Sequence, residues 1–226
     1  IKKHHTEIAK ASSSRMYEEI IRLFGYGSGA SAFRMLLETG LLAVLFPEIH
    51  HFLGGEDAGG KSEYWKYLEA LDGKYPEGQP APSVIFSVLF MGMVLSKIAE
   101  EIAQGSDRQA GAIASDVITP FARRYGMPKK VFFEVIHVFD IMQKLDSMPG
   151  RMPRIKEIAH ESFMLALDVY EIFCQVEPER QGETERIKTL RESARSETAR
   201  REPAPGRTRK FRHGNSKRKF FHRPGQ

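Results

Sequence analysis

The sequence has little of what disulfide-bonded, membrane-spanning or zinc-binding proteins need. Cys174 is the single cysteine among 226 residues, which excludes a disulfide framework and a multi-cysteine zinc site. The longest strongly apolar run, VIFSVLFMGMVL at 84–95, has 12 residues, whereas a membrane-spanning helix needs about 20. We therefore expect a buried core helix in this run, no membrane partner, and a reducing, cytoplasmic setting.

Catalytic and metal-binding motifs are also missing from the sequence. The stretch GYGSG at 25–29 is rich in glycine, but it lacks the lysine of a phosphate-binding loop and follows a predicted helix instead of a strand. The pairs His4-His5 and His50-His51 are adjacent in sequence, so neither pair shares one face of a helix. No catalytic residue and no metal site is predicted in this chain.

Helical periodicity is what the sequence has in abundance. After a run of serines, Met16, Ile20, Leu23 and Phe24 recur at the spacing of one helix face. No segment shows the alternation of β-branched and polar residues that indicates a strand. The predicted fold class is all-α, with a multi-helix body of about eight helices.

Glycine and proline divide this pattern into segments. The stretches 50–60 and 73–82 are predicted loops, and long helices are predicted over 83–104 and 107–125. Pro120 is expected to kink or divide the second of these helices. A further helix is predicted to start at Pro128, and a last apolar helix is predicted to begin near Ile155.

Positive charge is concentrated at the C-terminal end. From Arg195 onward there are 11 Lys/Arg and 2 Glu, which leaves 23 Lys/Arg against 27 Asp/Glu in the first 194 residues. Cations that neutralise phosphates and aromatic rings that stack on unpaired bases together predict binding of single-stranded RNA. The alternative is a nonspecific solubility tail. The predicted RNA-binding residues of the tail are Arg207, Arg209, Lys210, Phe211, Arg212, Lys217, Arg218, Lys219, Phe220, Phe221 and Arg223.

A second cationic cluster lies in ARRYGMPKK, between two predicted helices. Arg123, Arg124, Lys129 and Lys130 surround this interhelical corner, and the lysines lie near a helix N-terminus. These four residues are candidate RNA contacts. A plain solvated corner is the alternative interpretation.

Several segments, taken in order, are similar to one known family. SRMYEEIIRLFGYGSGASAFRMLLETGLLAVLFPEI at 14–49 resembles the segment that follows the catalytic head in the bacterial poly(A) polymerase I family, part of the class II tRNA nucleotidyltransferase superfamily. Arg15, Glu19 and the "LFP" at 45–47 match positions of that pattern, as do MPKK at 127–130 and the spacing of Phe163, Ala166 and Asp168. The basic end also resembles the tail of these enzymes.

The resemblance implies neck-to-body helices at 1–49, a helical RNA-binding body at 50–177, a charged linker or helix at 178–199, and a disordered Arg/Lys-rich tail at 200–226. In the family, the catalytic head carries an Asp-x-Asp pair and a Gly-Gly-x-Val-Arg loop, and neither motif occurs in this sequence. The resemblance therefore implies ATP and Mg²⁺ for a head outside this chain, and no cofactor within it. The chain alone is not expected to be active.

The function that follows from the resemblance is RNA binding by the C-terminal region of a polynucleotide adenylyltransferase, an enzyme that adds a 3′ poly(A) tail to RNA with ATP. Its expected partners are the 3′ ends of mRNA or tRNA, with an RNA helicase or a degradation factor as a further protein partner. Two alternatives stay open: the body of a CCA-adding tRNA nucleotidyltransferase, and a non-enzymatic helical module that binds RNA or protein.

Overall fold

The regular structure of the protein is helical, as the spacing of its apolar residues predicts. The computed structural model describes residues 12–54, 62–148, 153, 158 and 160–201. Of the predicted disordered tail, residues 200 and 201 instead end the last helix, and the remainder lies outside the described residues. The described residues form ten α-helices and no β-strand, which confirms the all-α prediction. The helices are α1 (Ser13–Arg22), α2 (Gly29–Glu38), α3 (Leu41–Leu45), α4 (Pro47–Phe52), α5 (Ser62–Lys74), α6 (Pro82–Ala103), α7 (Ala110–Tyr125), α8 (Lys129–Ser147), α9 (Phe163–Val176) and α10 (Thr184–Arg201).

Three predicted boundaries differ from the structure. His50 and His51 belong to α4 instead of a loop, because Pro47 occupies the first helical position, where its ring is favourable. Pro120 is exposed and does not divide α7, which continues from Ala110 to Tyr125; the kink that was the other predicted outcome stays a prediction. The last apolar helix, α9, begins at Phe163, and Ile155 lies outside the described residues.

Buried aromatic rings join the N-terminal helices to the body. The ring centroids of Phe33 and Phe46 are 4.9 Å apart, and those of Phe46 and Phe121 are 5.6 Å apart in a stacked arrangement. Phe86 of α6 approaches Phe121 at 5.2 Å. All four side chains are fully buried. Because stacked and tilted rings favour particular geometries, this cluster fixes how α2 and α3 lie against α6 and α7.

Helix α6 lies at the centre of this core. Its length and composition would suit a membrane span, but 56% of its most apolar window is buried inside the protein. It packs against α4, α5, α7, α8 and α9. The residues of α6 with no exposed surface are Val84, Ile85, Phe86, Ser87, Val88, Leu89, Phe90, Met91 and Val94.

Carboxylates from neighbouring helices cap the starts of two helices. Asp72 of α5 accepts hydrogen bonds from the backbone N–H groups of Gly29 and Ala30, at 2.9 and 2.8 Å. Asp140 of α8 accepts from the N–H of Gly111 at 2.7 Å, next to the start of α7. Such caps satisfy N–H groups that a helix cannot pair internally. They also join segments that are distant in sequence.

The GYGSG stretch forms the predicted corner between α1 and α2. Tyr26 adopts a left-handed backbone conformation with φ of 56°, and its N–H donates to the carbonyl of Gly78 at 2.9 Å. The hydroxyl of Ser28 donates to the carbonyl of Gly25 at 2.6 Å. The corner is thus held by hydrogen bonds to its own backbone and to the 73–82 connector.

Helix α10 packs onto the body more closely than its polar sequence suggests. Ile187, Leu190 and Ala194 are buried. Arg191 donates to Asp168 at 2.7 Å and to Glu171 at 2.8 Å, both on α9. The segment predicted as a charged linker or helix over 178–199 thus includes most of α10, and one face of that helix is part of the core.

Candidate nucleic-acid interface

The corner between α7 and α8 is a tight turn that places four cations on two successive helix ends. Gly126 ends α7 with φ of 62°, in the left-handed region that glycine adopts readily. The N–H of Met127 donates to the carbonyl of Ala122 at 3.0 Å. Pro128 then precedes α8, because its fixed φ suits a helix start.

Arg124 points towards the protein and pairs with an acidic residue from α4. Its guanidinium forms two hydrogen bonds with the carboxylate of Glu48, at 2.9 and 2.5 Å. Burial acts to raise the pKa of Glu48, but hydrogen bonds from Arg124 and from its own backbone N–H outweigh burial, so the pKa lies below its usual value. The charge of Arg124 is therefore largely satisfied within the protein.

The other three predicted cations of the corner face solvent. Arg123 and Lys129 are exposed and have no ion-pair partner among the described residues. Lys130 is 3.8 Å from Glu134, one helical turn along α8, with most of its side chain exposed. Exposed pairs of this kind contribute little energy, so Lys130 can exchange this partner for another anion.

A shallow groove runs beside Arg123 and Lys129. Thr119, Ala122 and Met127 line it on the α7 side and at the turn. Phe132 and Phe133 line it on the α8 side. None of the described residues that line this groove is acidic. Arg123, Lys129 and two aromatic rings thus share one surface. The nearest carboxylates belong to an adjoining groove, which Phe133 lines together with Glu134 and Glu161, and Glu134 is the residue that approaches Lys130.

The residues that carry the family resemblance have structural positions. Glu19 pairs with Arg22 at 2.8 Å on the surface of α1, while Arg15 is exposed. Phe163 and Ala166 belong to α9 and are fully buried. Asp168 binds Arg191 and also accepts from the hydroxyl of Tyr75 at 3.2 Å.

The cations around Asp168 form a network that fixes α10. Lys74 donates to Glu171 at 2.5 Å and lies 3.4 Å from Asp168, so α5, α9 and α10 meet at this point. Burial, together with the nearby carboxylate of Asp168, raises the pKa of Tyr75. The residues that follow Arg201 therefore continue from a helix that is anchored to the body.

The tail itself lies outside the described residues, and so do His4 and His5. The tail residues concerned are Arg207, Arg209, Lys210, Phe211, Arg212, Lys217, Arg218, Lys219, Phe220, Phe221 and Arg223. Their predicted contacts with RNA stay predictions.

Histidine and cysteine residues do not assemble into a reactive centre within the described part of the chain. No group of three or more His, Cys, Asp or Glu residues that could hold a metal is found there. His137 and His160 are neighbours, with ring centroids 4.7 Å apart. Cys174 is buried, and burial raises the pKa of its thiol to about 11. A thiol in that environment is a poor nucleophile.

Sequence reasoning missed Phe133, which is 54% exposed in the groove. A signal for it exists in the stretch KKVFFEV at 129–135. Adjacent helix positions are about 100° apart, so two neighbouring aromatic residues on a helix with one core-facing side point in different directions, and one of them can face solvent. Phe132 is partly buried against the core, and Phe133 is the one that faces outward.

Comparisons with known proteins agree with the sequence resemblance. Residues 1–53 match a family model described as "Probable RNA and SrmB- binding site of polymerase A". Within the described residues, this match covers α1 to α4 and the corner at 25–29.

Two groups of relatives match a larger part of the chain. Poly(A) polymerase I of Salmonella typhi is 26% identical over 170 residues, covering 73% of this chain and 36% of the relative. Poly(A) polymerase I of Escherichia coli O6:H1 is 25% identical over 180 residues, covering 77% of this chain and 38% of the relative. The chain thus spans little more than a third of the length of these curated relatives. The comparisons confirm, at low identity, the predicted similarity of this chain to a C-terminal part of bacterial poly(A) polymerase.

Proposed function

We propose that this chain is the RNA-binding C-terminal region of a polynucleotide adenylyltransferase, which holds RNA while a catalytic head outside the chain extends its 3′ end. The observation that carries this proposal is the match of residues 1–53 to a family model for an RNA-binding site of polymerase A. ATP and Mg²⁺ would act in the head, since the sequence has no Asp-x-Asp pair. A cytoplasmic location belongs to the same proposal.

The electrostatics of the chain support a division of labour in RNA binding. The body carries the exposed cations Arg123 and Lys129, which have no ion-pair partner in the part of the chain that the structure describes. The residues from Arg195 onward hold 11 of the 34 Lys/Arg. The tail would add affinity for any RNA by neutralising phosphates and releasing counterions. The folded body would fix where the strand lies.

The test measures binding of a fluorescently labelled oligo(A) to the full chain over a series of salt concentrations. The slope of log K against log salt should be about −0.7 for each phosphate contacted on a single strand. A variant that ends at Arg201 keeps α10 and should show a clearly flatter slope. If the wild-type chain does not bind oligo(A) at low salt, the proposal fails.

The corner is tested by the pair of substitutions Arg123→Ala and Lys129→Ala. Each should flatten the slope by about 0.7, because each removes one phosphate contact. Lys66→Ala is the matched control, since Lys66 is exposed on α5, outside the corner. Equal slopes for the wild type and both corner variants would remove the corner from the RNA-binding surface.

A protein partner, either an RNA helicase or a degradation factor, is part of the same proposal. Its support is the family model's description, which names SrmB beside RNA. Capture of such a protein by the full chain should persist after nuclease treatment. Capture that disappears with the nuclease would mean that the RNA alone bridges the two proteins.

A further inference from the structure

The exposed ring of Phe133 is unusual in its surroundings. The large apolar side chains exposed within the described residues are Tyr26, Met35, Ile102, Phe133 and Met148. Of these, Phe133 alone lies in the groove with Arg123 and Lys129. Exposing an aromatic ring to water costs free energy. Most apolar side chains on the core-facing side of α8 are buried, so the exposure of Phe133 stands out.

The ring is held in place by its neighbours. Phe132 and Phe133 make an edge-to-face contact, with centroids 5.7 Å apart and planes inclined at 74°. Lys129 lies one turn before both residues on α8, which brings it to the same side of the helix. An aromatic face with a supporting ring and a nearby cation is therefore already formed in the free protein.

The positive charges of the corner are also unfavourable for the start of α8. Lys129 and Lys130 occupy the first turn of α8, and no acidic residue is present in that turn. Cations at a helix N-terminus are unfavourable, because the helix dipole is positive there. A local feature that opposes stability is expected where a ligand provides compensation. A ligand that compensates two cations at a helix N-terminus carries negative charge.

From these observations we infer that the groove is a stacking site for single-stranded RNA. One unpaired base lies on the ring of Phe133, and Arg123 and Lys129 contact the phosphates on either side of it. A double-stranded RNA does not fit this site, since its bases are already stacked inside the helix. This inference rests on the proposed function and adds to it the binding mode and the class of RNA.

The test uses the full chain with labelled oligo(A) and, separately, an RNA duplex of equal length. Phe133→Leu keeps an apolar side chain but removes the aromatic face, and Phe133→Trp keeps the face. We expect Phe133→Leu to weaken oligo(A) binding about fivefold or more, the equivalent of about 1 kcal/mol, without changing the salt slope. Phe133→Trp should bind as tightly as the wild type, and duplex binding should be unchanged in both variants.

A second readout is direct. Trp65 is the single tryptophan of the chain and is buried, so the wild type supplies the reference fluorescence. In Phe133→Trp, the introduced indole should be quenched by oligo(A) but not by the duplex. Ile102→Ala, which removes an apolar side chain that is also more than half exposed from α6, is the control and should leave oligo(A) binding unchanged.

The outcomes separate the inference from the proposed function. If the wild type binds oligo(A) and Phe133→Leu binds equally well, the stacking site is refuted and the proposed function stands. If Phe133→Leu loses affinity for oligo(A) and the duplex alike, the ring does not distinguish single-stranded from double-stranded RNA, and the inference fails. If the variant keeps RNA binding and loses only a captured protein, the groove is a protein-docking site. A wild type that binds neither RNA refutes both statements.

Discussion

Arg124 and Glu48, 76 residues apart in sequence, form a two-point ion pair that joins α7 to α4. This ion pair gives Arg124 a structural role that Arg123, its neighbour in the chain, does not share. The guanidinium of Arg124 holds the N-terminal helices against the body, whereas that of Arg123 faces solvent. Adjacent arginines in a cationic cluster therefore have different roles.

Removing this pair should destabilise the protein. We expect Glu48→Gln to lower the free energy of unfolding at pH 7 by about 1–2 kcal/mol, since charge-assisted hydrogen bonds contribute about that much. Arg124→Lys should lose part of the same amount, because an ammonium cannot form the two-point contact. Urea unfolding measures the loss of stability in both variants. RNA binding by Arg124→Lys should match that of the wild type.

The pair also predicts how stability depends on pH. The pKa of Glu48 is lower in the folded state than in the unfolded chain, so near these pKa values the folded state binds fewer protons than the unfolded chain at the same pH. The stabilisation is complete above the unfolded pKa and is lost as the pH falls through the folded pKa. The gap between wild type and Glu48→Gln should therefore narrow when unfolding is measured from pH 7 to pH 3. A gap that stays constant over this range would contradict the assignment.

Two glycines should respond in opposite ways to alanine. A Cβ on Gly29 would lie 2.4 Å from Cδ1 of Phe24, a buried ring that cannot move away. We expect Gly29→Ala to destabilise the protein by about 1–3 kcal/mol, the range for overpacking. Gly73, within α5, has no atom within 4 Å of such a Cβ, and Gly73→Ala should stabilise by up to about 1 kcal/mol. Thermal unfolding of the two variants tests the packing of the corner at 25–29.

The anchoring of α10 gives a further prediction. Leu190 is fully buried, so Leu190→Ala should cost about 2–4 kcal/mol through lost burial and a cavity. Lys188→Ala, in the same helix, removes an exposed pair with Glu185 and should leave the free energy of unfolding essentially unchanged. Hydrogen exchange should show faster exchange in α10 for the first variant alone. Similar exchange in both would mean that α10 does not depend on its apolar face.

The thiol of Cys174 should be unreactive in the native protein. Burial raises its pKa to about 11, which leaves almost no thiolate at pH 8. A chromogenic disulfide reagent should react with it only as urea unfolds the chain, in step with the loss of helix. Rapid reaction without denaturant would contradict the buried position.

The sequence was a good guide wherever neighbouring residues decide the outcome. The spacing of Met16, Ile20 and Phe24 predicts which side of α1 is buried, because a helix places residues three and four apart on one face. The same reasoning predicts the turn at Gly126 and Pro128. It gave the wrong conformation for His50 and His51, since the helix there starts from Pro47 and is only six residues long.

What the sequence by itself determined is the all-α fold, the core position of α6 and the cationic character of the residues after Arg195. Only the tertiary structure decided which cations of the corner are free, which of Phe132 and Phe133 faces outward, and how α10 is attached. The physical reason is distance along the chain. The partners of Arg124, Gly29 and Arg191 lie 76, 43 and 23 residues away, and such contacts exist only after the helices have packed.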